Sequence, residues 1–191
     1  MAAFIHPTAV VDQGARIGDE TRIWHFCHVM AGAEIGPQCS LGQGCFVSAG
    51  ARVGSGVRVQ NNVSLYDGVV LEDEVFIGPC AVFTNVTNPR AAVSRRAEYQ
   101  RTVVKRGATV GANATVMPGR TLGRYCFVAA GAVVVHDVPD FALVMGVPAR
   151  QTGWMSRHGR KLTFDAEGFA TCPGSGQRYR LMVDGSVVEL G

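Results

Sequence analysis

The chain has 191 residues, 47% of them hydrophobic, a formal net charge of +3 and six cysteines. That length allows one substantial core with a small appendage and argues against two large domains. The small charge argues against a nucleic-acid-binding face. The N-terminal MAAFIHPTAV lacks a basic stretch followed by an apolar one, and no apolar run approaches the roughly 20 residues of a membrane span, so a cytoplasmic protein with no membrane partner is expected.

From the N-terminus an aliphatic residue recurs at every sixth position, from Ile5 through Val11, Ile17 and Ile23 to Ile77 and then Phe83. The series resumes in shifted phase at Val104 and continues through Val110, Val116, Leu122 and Val128 to Val134. A helix would scatter positions six apart over its whole circumference, whereas a short strand and a tight turn every six residues keeps them on the inside. Glycine often follows the aliphatic, as at Gly18, Gly42 and Gly111, and is expected to serve the corner. Two positions before each aliphatic lies a second, mostly small residue that should also face inward. Cys27, Cys39, Cys45 and Cys126 fall in this set and read as core filler, not as nucleophiles. None of the six cysteines forms a C-x-x-C pair, so no disulfide framework and no metal are expected.

Repeats of the form [LIV]-G-x-x-x-x resemble the hexapeptide-repeat transferases, in which three hexads make one triangular coil. The resemblance implies an all-β fold, a left-handed parallel β-helix over residues 1–150, interrupted by an external loop at 84–103. Twenty hexads give between six and seven coils, a prism roughly 30 Å long at the ordinary strand spacing. Residues 18 apart then stack, which aligns His25, Gln43 and Asn61, and likewise Trp24, Gly42 and Gln60. Asp67 stacks with Asn85, and Tyr66 with Thr84. Gln60, Asn61, Asn62, Tyr66, Asp67 and Asn85 are therefore expected to form a polar cluster beside the loop. The loop carries Arg90, Arg95, Arg96, Arg101, Lys105 and Arg106 against Glu98, a composition suited to phosphates and carboxylates.

The stretches VQNNVSLYDGVVLEDEVFIGPCAVFTNVTNPR, GATVGANATVMPG and VVHDVPDFALVMGVPARQTGW resemble more narrowly the nucleotide-sugar N-acetyltransferases of bacterial surface-polysaccharide pathways. The nearest likeness is to enzymes acetylating the 3-amine of a UDP-2-acetamido-3-amino-2,3-dideoxyglucuronate. The alternative is their relatives acting on dTDP-3-amino-3,6-dideoxyhexoses, which share the FTN and PR elements. The resemblance implies a homotrimer with acetyl-CoA between prisms, the backbone of Ala130, Gly131 and Ala132 near pantetheine, and Arg150 near phosphate. It places Asn85 at the reacting centre. Gln60, Asn61, Asn62, Tyr66, Asp67, Arg90 and Arg95 then become substrate contacts, Arg95 being preferred for a sugar carboxylate. An amine acceptor needs no strong base, in keeping with a loop that contains no histidine; His25, His28 and His136 read as turn or packing residues.

The remainder, residues 151–191, is expected to be a short helix over GWMSRHGRKL followed by a small β-hairpin or meander. Its Cys172 resembles the remnant of a zinc-ribbon edge. Two other readings stand beside the transferase. A zinc hydratase of the γ-carbonic-anhydrase kind would need three histidines in matching columns, and the positions 18 and 36 beyond His25 and His28 hold none. A non-catalytic scaffold would have no need of the polar cluster, the basic loop and ALVMGVPAR together.

Overall fold

A computed structural model describes residues 1–190. Almost every hexad contributes a strand of two or three residues, and the strands stack into three parallel sheets that wrap one core. The first face runs from Phe4–Ile5 through Arg22–Ile23, Ser40–Leu41 and Arg58–Val59 up to Ala142–Met145; the second holds 7 strands and the third 6. Each strand pairs with the one a full coil further along the chain, as Arg22 with Ser40 and Ser40 with Arg58, which is the three-hexad register expected. This is a three-sided parallel β-solenoid, consistent with the expected left-handed β-helix. The first face has one rung more than the hexad count gave, because Ala142–Met145 pairs in parallel with Phe127–Val128 beyond the last regular aliphatic, Val134.

Inward positions explain the stability of the prism. Ile23, Leu41, Val59, Ile77, Val110 and Val128 form one fully buried column, and burial of each such side chain contributes roughly 1.5–3 kcal/mol. The small second position does more than fill space. Thr21 Oγ1 and the thiols of Cys27, Cys39 and Cys45 donate to the carbonyls of Gly36, Gly42, Gly54 and Gln60, each 15 residues on. A hydroxyl or thiol at this position therefore satisfies a corner carbonyl that the ladders leave open.

Corners use two devices. The glycine after the aliphatic does not have positive φ; it is there because the next coil's backbone crosses it. A Cβ on Gly78 would lie 2.5 Å from Ala112 N, and one on Gly111 2.5 Å from Ala130 N. The left-handed residue comes three positions after the aliphatic and is often not glycine, as at Asn62 (φ 59°), Asn113 (φ 56°) and even Phe26 (φ 56°).

Two expectations are corrected. GWMSRHGRKL is not a helix: Arg150–Met155 runs antiparallel to Ala142–Met145, and Lys161–Leu162 continues the sheet. The last parallel rung would otherwise expose an unpaired edge, and the chain covers it by reversing at Gly146. The insertion ends at Arg101, not at 103, because Thr102–Val104 already pairs with Val69–Leu71. It is also shorter in effect than its span suggests, since it lengthens one step of the ladder only: Ser64 pairs with Val82 at the ordinary spacing, and Val82 then pairs with Thr115.

The tail is a three-stranded antiparallel sheet of Phe169–Thr171, Arg178–Leu181 and Val187–Glu189. It has its own apolar cluster around Phe141, Leu162, Cys172 and the fully buried Tyr179, and closes the C-terminal end of the prism. Residue 191 of the expected extension lies outside the described residues. Among the described residues, no helix is long and apolar enough to cross a membrane.

Candidate functional site

The predicted polar cluster divides between two edges of the prism. Gln60, Asn61 and Asn62 sit on the corner that follows the first face, whereas Tyr66, Asp67 and Asn85 sit on the corner that follows the second; the strand Ser64–Leu65 runs between them. Stacking by 18 holds within each group, but the groups do not form one cluster. The physical reason is that a six-residue step moves the chain by a whole face, so neighbours in sequence belong to different edges.

On the first edge Gln60 and Asn61 line a groove of about 280 Å³ with Trp24, His25, Ser40, Gly42 and Gln43. Asn61 Oδ1 accepts a hydrogen bond from the Gln43 N–H (3.0 Å), so part of its capacity is used in holding the coil below. Asn62 occupies the left-handed corner over Gly44. Higher on this edge the register brings in Ala130 and Gly131, three rungs above Asn61, or about 14 Å at the spacing of paired strands. Both are exposed. Ala132, by contrast, buries its methyl, donates its N–H to Ala129 and accepts from Thr115 N, which leaves it nothing to offer a ligand.

The second edge carries the loop. Gln100 N–H donates to the Asn85 carbonyl (2.9 Å) and Gln100 Nε2 to Thr87 Oγ1 (3.2 Å), which ties the two ends of the insertion together. Asn85 is half-buried at the mouth of this closure, and its side chain has no hydrogen-bond partner among the described residues. Tyr66 leans on Phe46 with ring centroids 5.9 Å apart. Asp67 Oδ1 accepts from Ser48 Oγ (2.6 Å) and Gly50 N–H (2.8 Å). The Ser48 bond, then the Gly50 bond, and more weakly the charge of Arg96, hold its carboxyl below the usual carboxylate range. Asp67 thus braces the corner under Asn85.

The loop arginines differ in their engagement. Arg90 is exposed and bridges to Val93 across the loop's tip. Arg95 is folded against Glu98 (2.8 Å), an i,i+3 pair at the short 3-10 turn Arg96–Glu98, with its Nε buried and unpartnered. A guanidinium already paired with a carboxylate is poorly placed for a sugar carboxylate.

His136 lies at an exposed bend, in keeping with the turn role expected of it, and it also falls on the edge that carries Asn85. Counting by 18 fails across the insertion, but the longer register there puts Pro118 above Asn85, and the next rung puts His136 above Pro118. His136 therefore shares the edge with Asn85, two rungs on. It also lines a hollow of about 290 Å³ with Asp137, Ala149 and the exposed Arg150. At the other end of the prism, His6 and His25 stack at 3.6 Å, and His28 Nε2 lies 3.3 Å from both oxygens of Asp12.

Known proteins share the repeat and the fold. The family profile described as bacterial transferase hexapeptide (six repeats) matches residues 14–49, 50–85 and 101–136, leaving out the loop. Over 188 residues, 98% of this chain and 95% of the relative, the sequence is 41% identical to a dTDP-3-amino-3,6-dideoxy-alpha-D-galactopyranose 3-N-acetyltransferase of Aneurinibacillus thermoaerophilus. Among solved structures, the acetyltransferase domain of PglB from Neisseria gonorrhoeae in complex with acetyl coenzyme A superposes with a TM-score of 0.53 at 25% identity, over 79% of this chain and 58% of that one. AntD, an N-acyltransferase from Bacillus cereus in complex with dTDP and 3-hydroxybutyryl-CoA, shares the fold with a TM-score of 0.51 at 17% identity, over 82% of this chain and 81% of that one. With the repeat profile covering more than half of the chain and one relative aligned almost end to end, the chain belongs to the hexapeptide-repeat transferases, as an acyltransferase of the N-acetyltransferase group.

Proposed function

We propose that the enzyme transfers the acetyl group of acetyl-CoA to the 3-amine of a dTDP-linked 3-amino-3,6-dideoxyhexose, in the cytoplasm, for surface-polysaccharide synthesis. The observation that carries this reading is the end-to-end 41% identity to an enzyme named for that substrate class. The UDP-linked 3-amino-uronate, favoured by the sequence alone, becomes the second reading. Its carboxylate would call for a free guanidinium, and Arg95, the preferred partner, is held by Glu98; Arg90 remains open to it.

In the proposed step the amine nitrogen attacks the thioester carbonyl, the C–S bond breaks, the departing thiolate takes the proton and free CoA leaves. An amine on a sugar ring titrates around or somewhat below about 8, so a useful fraction is already neutral and positioning carries most of the catalysis. Asn85, with an uncommitted amide at the mouth of the closed loop, orients the amine or the thioester by hydrogen bonds. Acetyl-CoA lies between adjacent prisms of a homotrimer, along the edge of Ala130 and Gly131, with a phosphate near Arg150. Ala132 is left out of this set. No metal takes part.

The test is a free-thiol assay of CoA release with dTDP-3-amino-3,6-dideoxyhexose, UDP-3-amino-glucuronate and UDP-GlcNAc side by side. Release with the dTDP sugar alone is expected, and Asn85→Ala should lower kcat by about 100-fold, the scale of losing one transition-state hydrogen-bond donor. Release only with the amino-uronate would restore the second reading, and release with neither amine would overturn both.

A further inference from the structure

The outward columns of the first and third faces carry the same basic pattern with one difference. On the third face Arg16, Glu34 and Arg52 occupy successive rungs, and Glu34 pairs with both arginines, with Arg52 Nε at 3.2 Å. On the first face Arg22, Ser40 and Arg58 occupy successive rungs in the same way. A hydroxyl stands where the acid would be. Arg22 and Arg58 are both exposed, and neither takes part in an ion pair among the described residues. They are two rungs apart, about 10 Å at the Cα atoms, with nothing to neutralise them on the face between.

That gap is also the floor of a hollow of about 470 Å³, lined by Phe4, Glu20, Arg22, Gln38, Ser40 and Arg58 among others. Its one carboxylate, Glu20, is within 3.5 Å of Gln38 Nε2 and reaches neither arginine closely enough to pair. Ser40 lines this hollow and the groove of Trp24, Gln60 and Asn61 alike, so the two run together across the face.

We infer that Arg22, Ser40 and Arg58 form a binding site for the diphosphate group of a nucleotide, whose remainder extends over Ser40 toward Trp24 and Gln60. Two guanidinium groups flanking a small hydroxyl offer forked donors from two sides to a doubly charged group. On the third face the equivalent gap is filled by Glu34, which neutralises both arginines. The choice of a nucleotide rests on the acetyl-transfer reading, in which acceptor and donor both carry a diphosphate; the anion site itself does not.

The experiment titrates dTDP, CoA and inorganic pyrophosphate calorimetrically into the full chain and into Arg22→Gln, Arg58→Gln and Ser40→Glu. The Ser40→Glu variant copies the third-face ladder and should unfold at or above the wild-type temperature while losing the anion. We expect each variant to bind one of the two nucleotides, and pyrophosphate, at least about tenfold more weakly, in line with removal of a charge-assisted contact. Loss confined to dTDP assigns the site to the acceptor, and loss confined to CoA assigns it to the donor. Binding of both within about twofold of wild type in all variants overturns the proposal, as does wild-type protein that binds none of the three below about 1 mM. Should Ser40→Glu fail to fold, the arginine variants carry the test. Weakened pyrophosphate binding in an enzyme that rejects dTDP sugars would leave the site standing and displace only the acceptor.

Discussion

At the scale of single residues, the two kinds of corner glycine make different demands. Gly111 must lack a side chain because Ala130 N would be 2.5 Å from its Cβ, while Gly56 sits at φ 66° with its nearest neighbour, Glu74 Cγ, 4.0 Å away. Gly111→Ala should therefore cost about 1–3 kcal/mol through backbone displacement, and Gly56→Ala about 1–2 kcal/mol from the left-handed backbone alone. Thermal unfolding reads both, at about 2–4 °C per kcal/mol for a chain of this size. Asp67 gives a pH-dependent counterpart. Its folded carboxyl titrates below the unfolded value of about 3.9 because Ser48 and Gly50 donate to it. Its contribution is present in full above that unfolded value and disappears as the pH falls through the folded one. The difference in melting temperature between wild type and Asp67→Asn should thus be largest near neutrality and close in acid, and Ser48→Ala should raise the carboxyl's titration point in an NMR titration. A flat difference across pH would remove the bracing role.

Elements behave here as modules set by register. The insertion is spare to the ladder, since strands on either side pair as if the coil were continuous. Deleting residues 86–100 restores the ordinary coil spacing. The variant should keep a cooperative unfolding transition within about 5 °C of wild type, because shortening a surface loop changes closure entropy by well under 1 kcal/mol per halving. Acetyl transfer should fall below detection, as Asn85 loses Gln100 and the loop arginines. Retained transfer would place the chemistry on another edge. The corrected helix belongs to this scale as well: Arg150–Met155 is a strand because the rung beneath it needs a partner, a demand that GWMSRHGRKL does not itself display.

As a whole molecule, the prism leaves Val10, Trp24, Phe26, Tyr66 and Val82 well exposed along its faces and edges. In the proposed trimer some of this surface meets the neighbouring prism. Sedimentation equilibrium should give three times the mass of the single chain, and a monomer would remove the inter-prism acetyl-CoA groove from the mechanism.

The sequence by itself determined the period, the inward columns, the buried cysteines and the position of the loop, since each follows from a spacing of six or eighteen that local turn geometry enforces. It also supplied the neighbours one coil apart, such as Gln43 beside Asn61. What only the tertiary structure decided was which edge each polar residue joins, which arginine is already paired, that His136 stands above Asn85, and that Arg22 and Arg58 have no acid paired with them among the described residues. These depend on which face a six-residue step reaches, on the register across an insertion, and on side chains a full coil or more apart in the chain. Distances of that kind exist only once the coils are closed.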